Sequence, residues 1–367
     1  MKTFEYADDQ ISDKEIMIAT PSVVIGVSVL SLPRTLTSPT NGMDGVIALG
    51  VAGLFVIALT WLVAKLAVQF PHENFYSYAS SLIPKPAASM FTMLFAVYGL
   101  LTTAYETRVI ADVAEQYLFT RTPFGVIALT FLLVVIYAVS GSRAGLFRLH
   151  MMFFPFIVLI ILTLVLFTSG LFDPDNLFPV LTTGAGNQWP AFIGSTFSFM
   201  GFAPLLFYTS LVKKPRNVPK KAAIGMSIAV TLYMVIAVMS IGAFGNLTAG
   251  NLQYPTVELA KDVEIPGGFF ERFETVFFVI WIMTIFNTTI MFLDMAVFAM
   301  NQLFTKISKM QLIFICSPFI YMAGMIPKNN EDVDALGTFI SMYGFTVVIL
   351  IVALFFIARK WKRGKKQ

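Results

Sequence analysis

The feature that most constrains this chain is a series of ten long runs of apolar residues, separated by short polar segments. An α-helix needs roughly 18 or more apolar residues to cross a lipid bilayer. We therefore predict ten membrane-spanning helices. Their approximate bounds are Ile16 to Pro33, Val46 to Ala64, Pro86 to Phe119, Phe124 to Ser142, Leu149 to Gly170, Gln188 to Val212, Ala222 to Phe244, Phe270 to Met300, Met310 to Ile326 and Ala335 to Ala358.

The composition also favours helical spans. Only 13% of the residues are charged, whereas about a quarter are charged in ordinary globular chains, and the mean hydropathy is +0.78. A membrane-spanning strand would need only ~10 residues in an alternating pattern, and a helix bonds every backbone amide within its own segment. The sequence thus predicts an all-α integral membrane protein.

The distribution of Lys and Arg predicts the orientation and the boundaries of the chain. Cytoplasmic loops collect these residues, and with the N-terminus inside, nineteen of the 25 fall on the cytoplasmic side. We predict cytoplasmic tails at residues 1–10 and 359–367 around one transmembrane domain at residues 11–358. The basic C-terminal tail is expected to contact anionic lipid, and no nucleic-acid partner is expected.

Ten spans divide into five plus five, as in transporter folds built from inverted repeats, here about residues 11–170 and 188–358. In such folds Gly or Pro breaks the first and sixth helices near the midplane, where the ligand binds. The first span contains Val24-Ile25-Gly26-Val27-Ser28, and the sixth contains Phe199-Met200-Gly201-Phe202-Ala203-Pro204. Gly leaves helical dihedrals cheaply and Pro lacks an amide donor. We predict that both segments are unwound and bind a ligand; close helix packing is the alternative.

Ionisable residues at membrane depth are costly, and they mark either function or structural pairing. Glu106 and Arg108 interrupt the third span, and residues two apart on a helix point in different directions, so each needs a partner elsewhere. We expect a structural role for Glu106, with ligand contact as the alternative. In the eighth span Thr284, Asn287 and Asp294 share one face. We expect structural pairing for Asp294, and either ligand contact or an interhelical hydrogen bond for Asn287.

The inventory of reactive residues does not favour an enzyme. The two histidines, His72 and His150, lie beside predicted helix ends without a cysteine or carboxylate cluster at metal-ligand spacing, and we expect both to be solvated loop residues. The single cysteine, Cys316, is expected in the core. Neither a phosphate-binding loop nor a nucleophile elbow is present in the sequence. We therefore predict a protein that is not an enzyme and holds no metal or cofactor.

Short motifs in a particular order and spacing along the chain carry a family resemblance. They are Leu32-Pro33-Arg34, Glu106-Thr107-Arg108, Arg121-Thr122-Pro123, Asn176-Leu177-Phe178-Pro179-Val180 and Phe270-Glu271-Arg272-Phe273-Glu274 followed by Trp281. This pattern resembles the B subunit of the GerA-type spore germinant receptors. That family is a branch of the amino acid, polyamine and organocation permease superfamily.

The resemblance implies a protein of the spore inner membrane that binds a small nutrient such as an amino acid. It also implies partnership with an A subunit and a C lipoprotein, and a response in which binding triggers germination rather than uptake. Two other functions remain open. One is a secondary transporter for amino acids, and the other is a membrane scaffold for the A subunit that binds no ligand.

In the family the pocket lies between the unwound first and sixth spans and the third and eighth spans. This implies binding roles for Gly26, Tyr98, Thr102, Met200, Gly201, Asn287 and Thr288. The full candidate set for ligand binding also includes Val24, Ser28, Phe199 and Thr284. Structural or coupling roles are expected for Pro33, Arg34, Glu106, Arg108, Glu271, Arg272 and Asp294.

The sequence departs from the family pattern after the glycine of the sixth span. Several members carry a carboxylate shortly after this glycine, whereas this chain has Phe202-Ala203-Pro204. The pocket is therefore expected to be less polar on that side. We expect a ligand with an apolar side chain, whose carboxylate is held by free amides of the broken helices.

Overall fold

The computed structural model describes residues 10–263 and 273–364, without the side chains of Glu274 and of residues 359–364. This part of the chain is helical throughout apart from turns, loops and one isolated bridge. The α-helices are α1 (Asp13–Val24), α2 (Ser28–Thr37), α3 (Asp44–Ala67), α4 (Phe75–Leu82), α5 (Lys85–Tyr117), α6 (Phe124–Ser140), α7 (Arg143–Thr168), α8 (Ala185–Ser198), α9 (Leu205–Tyr208), α10 (Val218–Asn251), α11 (Pro255–Lys261), α12 (Phe273–Leu303), α13 (Lys309–Gly324) and α14 (Asn330–Gly364).

These helices form ten spans. Within the described residues, α3, α5, α7, α10, α12 and α14 are each long and apolar enough to cross a membrane, and α1 with α2 forms one span bent by 57°. The helices α6 and α13 are shorter apolar spans. The helices α8 and α9 make up the remaining, interrupted span. The predicted all-α fold of ten spans with broken first and sixth helices is confirmed.

Several predicted bounds need correction. The helices α6 and α13 contain 17 and 16 residues, so at ~1.5 Å per residue each is somewhat shorter than the ~30 Å hydrocarbon core. The helices α4 and α11 occupy segments that lie outside the predicted spans. Local capping explains α4, because the Asn74 side chain accepts a hydrogen bond from the Ser77 amide at 2.8 Å. A search for apolar runs does not detect such short, partly polar helices.

The two broken spans are tied together at the ends that carry Ile11 and Val212. The Ile11 amide donates to the Leu211 carbonyl, and the Lys213 amide donates to the Ile11 carbonyl, both at 2.9 Å. Directly after this bridge, Ser12 and Glu15 form a capping box that starts α1. The segment before the first span is therefore anchored to the segment that ends the sixth.

The helices α5 and α12 pack closely at the centre of the bundle. Gly99 permits this approach, because a Cβ atom on Gly99 would lie 2.5 Å from the Phe292 carbonyl oxygen and 2.9 Å from Ala296 Cβ. Any larger residue there would push α12 away from α5. This contact places the polar residues of α5 and α12 beside the break between α1 and α2.

Candidate ligand-binding cavity

A cavity of about 330 Å³ lies where the two broken spans meet, enclosed by α5, α12 and α14. It extends from the breaks to Arg34 and Asp334, whose side chains are 38% and 54% exposed. We call this end of the bundle the Arg34 end. Ligand pockets commonly measure ~300–1,000 Å³, so the cavity suits a ligand of amino-acid size.

The two breaks touch each other at Gly201. A Cβ atom on Gly201 would lie 2.9 Å from both the amide nitrogen and the Cα of Val24, and 2.6 Å from Val24 Cγ2. Backbone atoms cannot move aside as the end of a flexible side chain can. Gly201 is therefore required for the two unwound segments to meet.

Hydroxyl groups hold the carbonyls that the breaks leave without helical partners. Each of four side chains donates to one such carbonyl, which fixes the unwound backbone. The pairs are Ser28 Oγ to the Ser198 carbonyl at 3.2 Å, Tyr98 Oη to Met200 at 3.1 Å, Thr288 Oγ1 to Val23 at 3.0 Å and Tyr233 Oη to Val24 at 2.8 Å.

The structure brings most of the predicted binding residues together around the cavity. The lining includes Val24, Ser28, Tyr98, Thr102, Met200, Gly201 and Thr288. Four other predicted binding residues do not line it. They are Gly26, Phe199, Thr284 and Asn287.

Each of these four residues is engaged elsewhere. A Cβ atom on Gly26 would lie 2.6 Å from Thr288 Oγ1, so Gly26 makes room for α12 against the break. The Phe199 ring stacks on Tyr233 with centroids 5.1 Å apart. Thr284 donates to a carbonyl of its own helix. Asn287 Nδ2 donates to the Ser22 hydroxyl at 2.8 Å, which is an interhelical hydrogen bond.

The residues predicted to have structural or coupling roles do not form one cluster. Arg34 forms an ion pair with Asp334 at 3.2 Å across the cavity mouth, and Pro33 lies inside α2 beside it. Glu106 lines the cavity. Arg108 pairs with Asp112 at 3.0 Å, one turn along α5. Glu271 and Arg272 lie outside the described residues.

Sequence reasoning missed the contribution of α14 to the cavity. Asp334, Gly337, Thr338 and Ser341 all line it. Their spacing of three, four and seven residues places them on one face of the helix. This stripe of small and polar residues in the sequence could have indicated that α14 faces the cavity.

His150 corrects an expectation from the sequence, because it is completely buried rather than solvated. Its Nδ1 atom lies 3.0 Å from Ser22 Oγ, the hydroxyl that Asn287 also contacts. The helix α7 starts at Arg143, capped by Ser142, which is earlier than the predicted span and carries His150 into the bundle. His72 is exposed, as expected.

The described residues contain no group of three or more His, Cys, Asp or Glu side chains arranged to hold a metal ion. The polar groups of the cavity instead suit a small organic ligand. They are backbone groups, hydroxyls, one carboxylate at the breaks and an ion pair at the mouth.

Residues 10–333 match the family described as spore germination protein. The chain belongs to the spore germination protein family. This chain is 38% identical over 365 residues to the spore germination protein GerLB of Bacillus cereus, and the matched region covers 99% of this chain and 98% of GerLB. It is 32% identical over 358 residues to the spore germination protein YndE of Bacillus subtilis (strain 168), covering 97% and 98%.

These matches confirm the resemblance to B subunits of germinant receptors, which the motifs indicated.

Solved structures of other proteins share the fold of this chain. MhsT in complex with L-phenylalanine superposes with a TM-score of 0.73 at 15% identity, covering 93% of this chain and 88% of MhsT. Mhp1, a nucleobase-cation-symport-1 family transporter in a closed conformation with bromovinylhydantoin bound, gives a TM-score of 0.67 at 12% identity, covering 92% and 76%.

The opposite end of this spore germination protein, which we call the Arg143 end, is closed by a polar network around a buried carboxylate. Asp294 is 0% exposed and accepts a hydrogen bond from Tyr208 Oη at 2.6 Å. Its carboxylate also pairs with Arg143 at 3.2 Å and Lys309 at 3.0 Å. The network joins α7, α9, α12 and α13, and it brings one carboxylate against two cations.

Proposed function

We propose that this chain is the nutrient-sensing subunit of a spore germinant receptor and binds a small amino acid in the cavity. Binding triggers germination rather than uptake. As the family resemblance implies, the subunit lies in the spore inner membrane and acts with an A subunit and a C lipoprotein. The distribution of Lys and Arg favours both termini on the core side. Membership of the spore germination protein family supports this proposal.

The observation that carries the proposal is the meeting of two unwound segments at one cavity. The helix α2 begins at Ser28 without a side-chain cap. The Val27 amide faces Glu106 and the Leu30 amide bonds the Val27 carbonyl, so the Ser28 amide is the one offered to a ligand. The positive end of the helix dipole favours a carboxylate there. The L-phenylalanine bound to MhsT, which shares the fold, supports a ligand of the same class.

The remaining walls favour an apolar side chain on the ligand. Phe197, Met200, Phe292 and Ile340 face the cavity. Burial of apolar surface contributes ~25 cal/mol per Å², which rewards a ligand that fills this side. Phe202, in the segment after Gly201 where several family members carry a carboxylate, is fully buried.

Dose-dependent germination of spores carrying Gly201→Ala tests the proposal against a panel of the twenty common L-amino acids. The added Cβ collides with the Val24 backbone, and such overpacking costs ~1–3 kcal/mol. We expect the half-maximal concentration to rise about tenfold or more. Gly186→Ala is the matched control, because a Cβ on Gly186 meets nothing within 4 Å. An unchanged response at a normal level of the Gly201→Ala protein would contradict the proposal.

The second candidate is a secondary amino-acid transporter, which the full-length similarity to transporter folds favours. Membrane vesicles and a radiolabelled amino acid separate the two functions. Saturable binding without accumulation supports the receptor. Accumulation inside the vesicles would select the transporter.

A further inference from the structure

A carboxylate with one unpartnered oxygen faces the cavity beside the first helix break. Glu106 of α5 is 6% exposed, and its Oε1 atom lies against Gly26, since a Cβ there would be 3.3 Å away. The carboxylate also faces the Val27 backbone amide. Its Oε2 atom is buried without a hydrogen-bond partner among the described residues. A buried charge in this condition is costly unless a cation or several donors join it.

The nearby cations are already engaged. Arg108 forms an ion pair with Asp112 at 3.0 Å, and its guanidinium lies 4.1 Å from the centroid of the Phe124 ring. Arg34 lies at the mouth, where Asp334 pairs with it at 3.2 Å. Among the described residues that line the cavity, the charged side chains are Arg34, Glu106 and Asp334. The lining therefore carries one negative charge more than it carries positive charges when all three are ionised.

Three hydroxyl groups of the cavity near Glu106 each use their proton in a hydrogen bond to a backbone carbonyl. Tyr98 donates to the Met200 carbonyl, Thr102 to the Tyr98 carbonyl at 2.9 Å, and Thr288 to the Val23 carbonyl. A hydroxyl has a single proton to donate, so these oxygens retain only the capacity to accept. This part of the cavity therefore presents hydrogen-bond acceptors together with excess negative charge. An ammonium group, with three donors and a positive charge, is the complementary ligand group.

We propose that Glu106 binds the ammonium group of the nutrient, so that the receptor discriminates ligands with a primary ammonium from analogues without one. This inference rests on the proposed function, since it needs a ligand in the cavity. It also replaces the structural role that the sequence suggested for Glu106. Arg108 satisfies Asp112 instead, and no other described cation contacts the Glu106 carboxylate within ion-pair distance.

The first test uses the unaltered receptor. Spores are exposed to each of the twenty common L-amino acids, to its N-acetyl derivative and to the corresponding deamino acid. We expect a response to one or more free amino acids and at least about tenfold weaker responses to both analogues, because each analogue leaves Glu106 unpaired. Equal responses to an amino acid and its N-acetyl derivative would overturn the proposal, and this test depends on no variant.

The second test compares Glu106→Gln with Glu115→Gln, the same substitution on the same helix outside the cavity. Gln keeps the volume but removes the charge, so we expect the half-maximal concentration of the effective amino acid to rise about tenfold or more. The discrimination against the deamino acid should fall by a similar factor, which a purely structural role would not produce. Glu115→Gln should match the unaltered receptor in both measurements.

The outcomes separate this inference from the proposed function. Suppose that Gly201→Ala shifts the response, while Glu106→Gln at a normal protein level changes neither the half-maximal concentration nor the discrimination against the deamino acid. Binding in the cavity is then supported, and the assignment of Glu106 to the ammonium group is contradicted. If neither variant shifts the response, the proposed function falls as well. If Glu106→Gln protein does not accumulate, Glu106→Asp is used, and it should still discriminate against the deamino acid. Loss of that discrimination in Glu106→Asp at a normal protein level would count against the assignment.

Discussion

The two ends of the bundle are held by ion pairs of opposite character. At the Arg34 end, one pair between Arg34 and Asp334 spans the cavity mouth, with 38% and 54% of the two side chains exposed. At the Arg143 end, Asp294 is fully buried and is contacted by Arg143, Lys309 and Tyr208. Exposed ion pairs contribute only ~0–1 kcal/mol, whereas removing one partner of a buried pair costs ~3–5 kcal/mol.

This difference indicates which end of the bundle is freer to move. The pair at the mouth can separate at little cost, so we propose the Arg34 end as the entrance for a ligand. The Asp294 network holds four helices together and resists separation. Three substitutions measure the contrast, and the largest effect is expected at the buried end.

Asp294→Asn is expected to produce the largest loss of stability. The substitution leaves Arg143 and Lys309 without their shared carboxylate, at a cost of about 3–5 kcal/mol. Thermal unfolding of the detergent-solubilised protein and its level in the membrane measure the loss. Asp334→Asn is the matched control and should unfold close to the temperature of the unaltered protein. Equal unfolding temperatures for the two variants would show that the Asp294 network does not stabilise its end of the bundle more than the Arg34–Asp334 pair stabilises the other.

Tyr208→Phe is expected to have an intermediate effect. The ring remains packed against Phe147, with centroids 5.2 Å apart, but the 2.6 Å hydrogen bond to Asp294 is lost. Hydrogen bonds to charged groups contribute about 1.5–3 kcal/mol. The same unfolding measurement applies, with Tyr137→Phe as control because Tyr137 is 82% exposed. A Tyr208→Phe protein as stable as the control would show that the two cations alone hold Asp294.

Arg34→Gln is expected to have the smallest effect on stability, at most ~1 kcal/mol. Its effect should appear instead in the kinetics of ligand entry, because the pair closes the mouth of the cavity. The association rate of a radiolabelled amino acid with spore membranes measures this effect. High salt should alter the rate for the unaltered protein more than for Arg34→Gln, since salt screens exposed pairs. A strongly destabilised Arg34→Gln protein would contradict the comparison.

The membrane-spanning helices and the two helix breaks could be predicted from the sequence, because both depend on local residue patterns. The bilayer forces apolar runs into helices, and the Gly and Pro residues around Gly26 and Gly201 marked both breaks. The polar stripe of α5 was equally readable, and Tyr98 and Thr102 line the cavity.

The remaining features depend on tertiary packing, which one sequence does not display. The sequence predicts His150 at a helix end, but α7 begins earlier and buries it against Ser22. The contribution of α14 depends on which face of that helix turns toward the breaks. Glu106 could be placed at membrane depth from the sequence, and the spacing of four residues between Arg108 and Asp112 was a readable sign of their ion pair. The unpartnered oxygen of Glu106 depends instead on the packing around it.

Protection of a cysteine in the cavity by ligand is a direct test of amino-acid binding between the two broken spans. The chain has one cysteine, the buried Cys316, so Cys316→Ala gives a background in which Ser31→Cys places a thiol in the cavity lining. Ser169→Cys, at an exposed position outside the cavity, is the control. We expect an amino acid that triggers germination to slow labelling of Ser31→Cys by a polar thiol reagent in a saturable manner, while labelling of the control is unchanged. Labelling of Ser31→Cys at the same rate with and without that amino acid would contradict binding in this cavity.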